Sequence, residues 1–246
     1  MKIDKYKKLR NGKYELIMEN GEGIQLYEDT ILKYNLLLTK SIDINNKDLI
    51  RFDKKCEIYY TALKNIKTRL KSKMELKEFL IKKEYPTDCI DDILKKLEKQ
   101  GYINDLFYAK SFLNNKLITT SNGPRKIRLE LQKKGIRQDI IDDVLEEYSD
   151  DIQLEKINKI ANRIVKSNRN KSNKALKIKI NNDLGLEGFS KKLIDQVIND
   201  LKFASEDEIA KKEYEKLRKR LSRKYSGEEL EIKIKQKMYQ KGFCYK

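Results

Sequence analysis

Apolar residues recur along most of the chain at spacings of three and four, the period of an amphipathic helix. The clearest pairs are Leu76 and Leu80, Ile127 and Leu131, Ile180 and Leu184, and Ile234 and Met238. Each pair stands nine and five residues before an anchor, namely Tyr85, Ile136, Phe189 or Phe243, and the anchors are 51, 53 and 54 residues apart. After the first three anchors, Ile90, Ile93 and Leu97, then Ile141, Val144 and Tyr148, then Ile194, Val197 and Leu201 fall at plus five, eight and twelve. They predict a further amphipathic helix in each unit. Ahead of the pairs runs another apolar face: Ala62, Leu63, Ile66 and Leu70; Ala109, Phe112, Leu113 and Leu117; Ile157, Ile160, Ala161 and Ile164; Ala210, Tyr214, Leu217 and Leu221. The chain therefore reads as tandem three-helix units, the fourth ending three residues past Phe243 without its third helix.

Punctuation fits this reading. Ser72 with Glu75, Ser205 with Glu208, and Ser226 with Glu229 have the spacing of a capping box, and Pro124 suits a first helical position. Near the start the period changes: Asn11-Gly12 and Asn20-Gly21 lie between strand-forming residues, the signal for tight hairpin turns. A β meander of about three strands follows, then a short helix from Asp29 or Thr30 through TILKYNLLL, where Leu36, Leu37 and Leu38 need a packing surface. The expected fold class is mainly α: tandem three-helix repeats in an elongated, curved array with a small β-rich N-terminal extension. The extension takes residues 1–50, and the repeats take 51–104, 105–150, 151–204 and 205–246. A unit of about 50 residues is marginal alone, so neighbours must complete each core.

The 246 residues include 56 Lys and Arg against 39 Asp and Glu, a formal charge of +17 that favours a polyanionic partner. The positions of the charges sharpen this. No acid lies between Glu57 and Glu75, Asp105 and Glu130, Glu155 and Asp183, or Glu215 and Glu228, and each window is rich in cations. The candidates for contact with nucleic acid or a filament in these windows are Arg69, Lys71 and Lys73; Lys110, Lys116, Arg125, Lys126 and Arg128; Arg163, Lys166, Arg169, Lys171 and Lys174; and Arg218, Arg220 and Arg223. Stacked on one side, these helix junctions would form a basic edge able to track a phosphate backbone without reading its sequence. Tyr59, Tyr60, Tyr102 and Tyr108 could stack on bases, although helical spacing also suits them to a core.

The absence of histidine removes imidazole chemistry, and no GxxxxGK loop is present. Asp91-Asp92 and Asp142-Asp143 could hold Mg²⁺, yet their recurrence reads as helix N-terminal charge facing the dipole. No enzymatic activity, cofactor or metal is expected. Cys56, Cys89 and Cys244 have no CxxC spacing, no apolar run approaches the roughly 20 residues of a membrane span, and MKIDKYKK has no hydrophobic signal core. A cytoplasmic, monomeric protein with no membrane contact is expected.

The segment GYINDLFYAKSFLNNKLITTSNGPRKIRLELQKKGI, Gly101 to Ile136, resembles the signature of the RecX family of regulators of the RecA recombinase. Upstream, ALKNIKTRLKSKMELKEFLIKKEYP is similar to the first unit of that family, with Arg69, Ser72, Glu75, Leu76 and Leu80 in register. The resemblance is firm over about residues 55–148 and looser beyond. It implies tandem three-helix units that bind the recombinase and its single-strand DNA filament, lodge in the filament groove and limit growth and activity, with double-strand DNA a further ligand. It carries over basic positions at Arg69, Lys110, Lys116, Arg125, Lys126, Arg128, Lys133 and Lys134. Phe107 and Asn114 depart where basic residues are expected, and Glu84 replaces the usual glycine before Tyr85. The alternative is a helical-repeat DNA-binding protein with no recombinase partner.

Overall fold

A computed structural model describes residues 1–9, 12–203 and 205–243. Three antiparallel strands, β1 (Ile3–Lys8), β2 (Lys13–Met18) and β3 (Gly23–Tyr27), form a sheet in sequence order. The register pairs Lys8 with Tyr14 and Lys13 with Tyr27, and Leu9 N–H donates to Lys13 O at 2.8 Å to close the first hairpin. Asn11 of that turn lies outside the described residues, as does Cys244. In the second turn, the Asn20 side chain accepts from Glu22 N–H at 3.1 Å.

Alternation along the strands sends Ile3, Leu16, Met18 and Leu26 to one face, where they pack with Ile31, Leu36, Ile42 and Leu49. The helix expected through TILKYNLLL is broken: α1 (Glu28–Lys33) stops before Asn35, whose φ is +51°, and α2 (Leu36–Thr39) is a single turn. Of the three leucines only Leu36 is buried, while Leu38 is 83% exposed, because the break turns one side of α2 away from the sheet. Asp53 ties this module down, its carboxylate accepting from Tyr27 N–H at 2.8 Å and from the Thr30 hydroxyl at 2.6 Å.

Eleven further helices follow among the described residues: α3 (Lys47–Ile66), α4 (Lys73–Ile81), α5 (Thr87–Lys99), α6 (Asp105–Thr119), α7 (Pro124–Lys133), α8 (Gln138–Glu146), α9 (Asp150–Ser167), α10 (Asn173–Glu187), α11 (Lys191–Asp200), α12 (Asp207–Leu221) and α13 (Gly227–Gln240). Leu76, Leu80, Ile127, Leu131, Ile180, Leu184, Ile234 and Met238, the eight residues of the i, i+4 pairs, have no solvent exposure at all. Each such burial stabilises by about 2 kcal/mol. Leu70 departs from the expected face: α3 ends at Ile66 and leaves it 43% exposed. The structure divides into two compact units, Met1–Tyr108 with Lys134–Ile136, and Ala109–Lys133 with Arg137–Lys246.

Of the three expected capping boxes, one forms. Ser72 accepts from Glu75 N–H at 3.1 Å while the Glu75 carboxylate accepts from Ser72 N–H. The Ser205 hydroxyl instead donates to the Asp207 carboxylate at 2.9 Å, and Glu206 takes the N-cap of α12. Ser226 does cap α13 by position, but Gly227 enters that helix with φ +56°, which turns the first amides away from the hydroxyl.

One joint is built three times from the glycine turns. Ser72 Oγ, at the start of α4, donates to Lys134 O at 2.7 Å, directly before Gly135. At the start of α7, Gly123 N–H donates to Glu187 O at 2.7 Å and Arg125 N–H to Gly188 O at 3.2 Å. At the start of α10, Ser172 Oγ donates to Lys241 O at 2.7 Å, directly before Gly242. In each case orphan carbonyls at the end of a later helix meet the start of an earlier one. The glycine is required twice over. Gly188 has φ +91°, and a Cβ there would lie 2.6 Å from Lys126 N; at Gly135 and Gly242 it would meet Met74 and Ser172 at 2.4 and 2.7 Å. Glu84 keeps the left-handed turn, φ +62°, where the other anchors have glycine.

Candidate nucleic-acid interface

The sequence concentrates cations where helices begin and end, and the structure sorts them into two groups. Seven candidates are held by carboxylates. Lys73 pairs with Glu98 at 2.6 Å, Lys110 with Glu147 at 2.6 Å, Lys116 with Glu130 at 2.6 Å, Lys126 with Glu187 at 2.9 Å, and Lys134 with Glu75 at 2.7 Å. Arg128 pairs with Asp142, and Arg69 approaches Glu75 at 3.7 Å. Lys126 and Lys134 brace the joints just described, so their first duty is structural. Burial opposes ionisation of Glu75, but the Lys134 ammonium, the Ser72 amide and Arg69 outweigh it and hold the carboxyl below its ordinary range.

The second group has no carboxylate within ion-pair distance among the described residues: Lys71, Arg125, Lys133, Arg163, Lys166, Arg169, Lys171, Lys174, Arg218, Arg220 and Arg223. All but Lys71 are exposed. Burial, with Arg69 adding repulsion, pulls the Lys71 ammonium below its usual range, and the charge lies 5.8 Å from the Phe79 ring. Arg163 and Lys166 extend from α9 and Arg169 and Lys171 follow in the turn to α10, whose N-cap is Ser172. Lys174 places its ammonium 5.7 Å from the ring of Tyr239, a side chain 73% exposed, and the two border a cleft of about 540 Å³ with Lys171 and Ile178. Arg218 and Arg220 occupy the last turn of α12, where the helix dipole favours positive charge.

The tyrosines separate as well. Tyr108 is 7% exposed and burial pushes its hydroxyl up to about 12, so it belongs to the core. Tyr60 stacks on Tyr27 with ring centroids 5.1 Å apart, and donates to Asp29 at 2.6 Å, which raises its pKa. Tyr59 donates to Gln100 at 3.0 Å. Tyr102, 51% exposed, has no ring partner among the described residues and is left as a stacking surface. The acidic pairs are occupied too: Asp91 holds Lys77 at 2.7 Å and Asp92 holds Lys55 at 2.6 Å. Sequence reasoning passed over Lys156 and Lys159 as contact residues, although both lie in the acid-free window that contains Arg163.

Known proteins share this chain's sequence pattern and fold. Residues 104–145, covering α6 to α8, match the family model for the second three-helix domain of RecX. Over 243 residues the chain is 32% identical to the regulatory protein RecX of Listeria monocytogenes serotype 4b (strain CLIP80459), a match that spans 95% of this chain and 88% of that one. The chain belongs to the RecX family. The RecX of Bacillus pumilus (strain SAFR-032) is 31% identical over 219 residues, covering 87% of this chain and 83% of its own. A crystal structure of regulatory protein RecX aligns with a TM-score of 0.72 at 26% identity, covering 81% of this chain and 99% of that one. Another, from Lactobacillus salivarius, gives 0.59 at 32% identity over 61% of this chain. The segment matching the second RecX domain carries Lys110, Lys116, Arg125, Lys126, Arg128, Lys133 and Lys134, of which only Arg125 and Lys133 have no carboxylate partner among the described residues. These relatives are regulatory proteins by name, and this chain shares that regulatory role. Among the described residues no helix is long and apolar enough to cross a membrane.

Proposed function

We propose that the protein is a non-enzymatic, monomeric, cytoplasmic regulator that binds a RecA-type recombinase and its single-strand DNA filament and limits filament growth and recombinase activity. Its helical repeats, 51–104, 105–150, 151–204 and 205–246, each carry a cationic helix junction, and the extension 1–50 precedes them. The observation that carries this reading is the set of exposed cations from Arg163 to Lys174 and from Arg218 to Arg223 that no carboxylate of the described residues neutralises. A folded protein that leaves this many exposed charges without a carboxylate partner among the described residues is suited to a polyanion, and phosphate contacts supply affinity without sequence preference. Family membership supports the recombinase as the protein partner.

The test titrates the protein into a RecA-type recombinase turning over ATP on single-strand DNA. Inhibition at levels well below those needed to coat the DNA supports the filament reading. Inhibition only at coating levels would mean plain DNA masking. Reversing Arg169, Lys171 and Lys174 to glutamate is expected to weaken binding and flatten its salt dependence. An unchanged salt slope would remove that turn from the interface.

A further inference from the structure

Among the clefts of the molecule, one brings two acid-free windows together. The last turn of α6 and the residues after it, Leu117 to Ser121, face α9 across a cleft of about 430 Å³. The α9 wall presents Lys156, Lys159 and Arg163, and the floor is Ile160, 8% exposed. Positions 156, 159, 163 and 166 fall within roughly an 80° arc of the helix, so the three cations share one side with Lys166. None of the three has a carboxylate partner among the described residues. Lys156 donates to Thr120 O at 3.2 Å, and both burial and the nearby Lys159 charge pull its pKa down. Opposite them Ile118 is 85% exposed at the rim. A concave site with three like charges drawn together, no counter-charge among the described residues and an apolar rim is complementary to a ligand that joins an anion to a flat apolar body.

We infer that this cleft seats a phosphodiester of single-strand DNA, with the phosphate between Lys159 and Arg163 and the adjoining base against Ile118. The inference rests on the proposed contact with nucleic acid and assigns it a defined place that includes two lysines, Lys156 and Lys159, outside the basic positions shared with the family signature. Lys156 acts from behind: its bond to Thr120 O holds the loop, and its charge adds to the field at the seat. A double-strand helix presents its bases stacked inside, so the apolar rim selects an unpaired strand.

The test measures binding of a fluorescein-labelled oligothymidylate to the whole chain by anisotropy over a range of NaCl, without recombinase. The variants are Lys159→Gln with Arg163→Gln, and separately Ile118→Ala. All three side chains are exposed and none bears an ion pair among the described residues, so the fold stays intact, as circular dichroism verifies. The double variant is expected to reduce the slope of log K against log salt by about 1.4, the share of two single-strand phosphate contacts. Ile118→Ala is expected to lose affinity with the slope unchanged. An unchanged slope in the double variant, with wild-type binding intact, overturns the seat alone and leaves the regulatory reading standing. Pyrophosphate competing equally well against wild type and Ile118→Ala, with no loss of oligothymidylate affinity in that variant, overturns the base contact. A wild-type chain that binds no oligothymidylate overturns the seat together with the direct DNA contact, while inhibition of the recombinase would still be read independently.

Discussion

Replacing Gly188 by alanine tests the joint between α7 and α10 directly. The residue sits at φ +91°, where a side chain costs about 1–2 kcal/mol. Its new Cβ would lie 2.6 Å from Lys126 N and 3.0 Å from Lys126 Cβ, and the first of these is backbone that cannot rotate away. The two segments must separate, which strains or breaks the bonds Gly123 N–H to Glu187 O and Arg125 N–H to Gly188 O, each worth about 1 kcal/mol. The sum is a loss of about 3–4 kcal/mol, a large fraction of the 5–15 kcal/mol typical of a folded domain. Gly185 provides the control one turn earlier in α10. A Cβ there meets nothing within 4 Å, so Gly185→Ala is expected to gain about 1 kcal/mol through helix propensity. Urea unfolding followed by far-ultraviolet circular dichroism reads both variants against wild type. If Gly188→Ala unfolds within about 0.5 kcal/mol of wild type, the range of an ordinary surface change, the joint is not the close-packed contact described here.

Other expectations follow from the same geometry. Glu84→Gly is expected to stabilise by about 0.5–1 kcal/mol, because relief of the left-handed strain exceeds the added freedom of the unfolded chain; a loss in the same urea experiment would contradict this. Glu75 is depressed in the folded state, so its contribution is fully present above its unfolded pKa and disappears as pH falls through the folded one. Glu75→Gln should therefore lower stability at neutral pH by about 1.5–3 kcal/mol and flatten the acid limb, whereas a parallel acid limb in the variant would exclude the ion pair with Lys134 as its source. Leu131→Asp buries a charge at a site with no exposure and should unfold its three-helix group; a soluble protein with wild-type ellipticity would contradict the core.

The sequence was most legible where one physical rule dominated. Leu76, Leu80, Ile127, Leu131, Ile180, Leu184, Ile234 and Met238 were identifiable from a 3.6-residue period alone, because a helix that must bury one stripe has few ways to write it. The anchors Ile136, Phe189 and Phe243 were legible from their spacing. The role of the glycine before each was not, since the segment it meets lies a whole repeat away. The caps show the same limit: Ser72, Ser205 and Ser226 carry one motif, yet only Ser72 completes it, because Asp207 and the backbone at Gly227 intervene locally.

What the sequence by itself determined is therefore the helical repeat, its buried stripes, the family and the clustering of positive charge, all of which depend on neighbours within a few turns. Only the tertiary structure decided which of those charges are free. Lys126 meets Glu187 and Lys134 meets Glu75 across 61 and 59 residues of chain, while Arg163 and Lys159 face the end of α6 and, among the described residues, no acid. A charge is neutralised by whatever folding brings within about 4 Å of it, and sequence separation sets no bound on that.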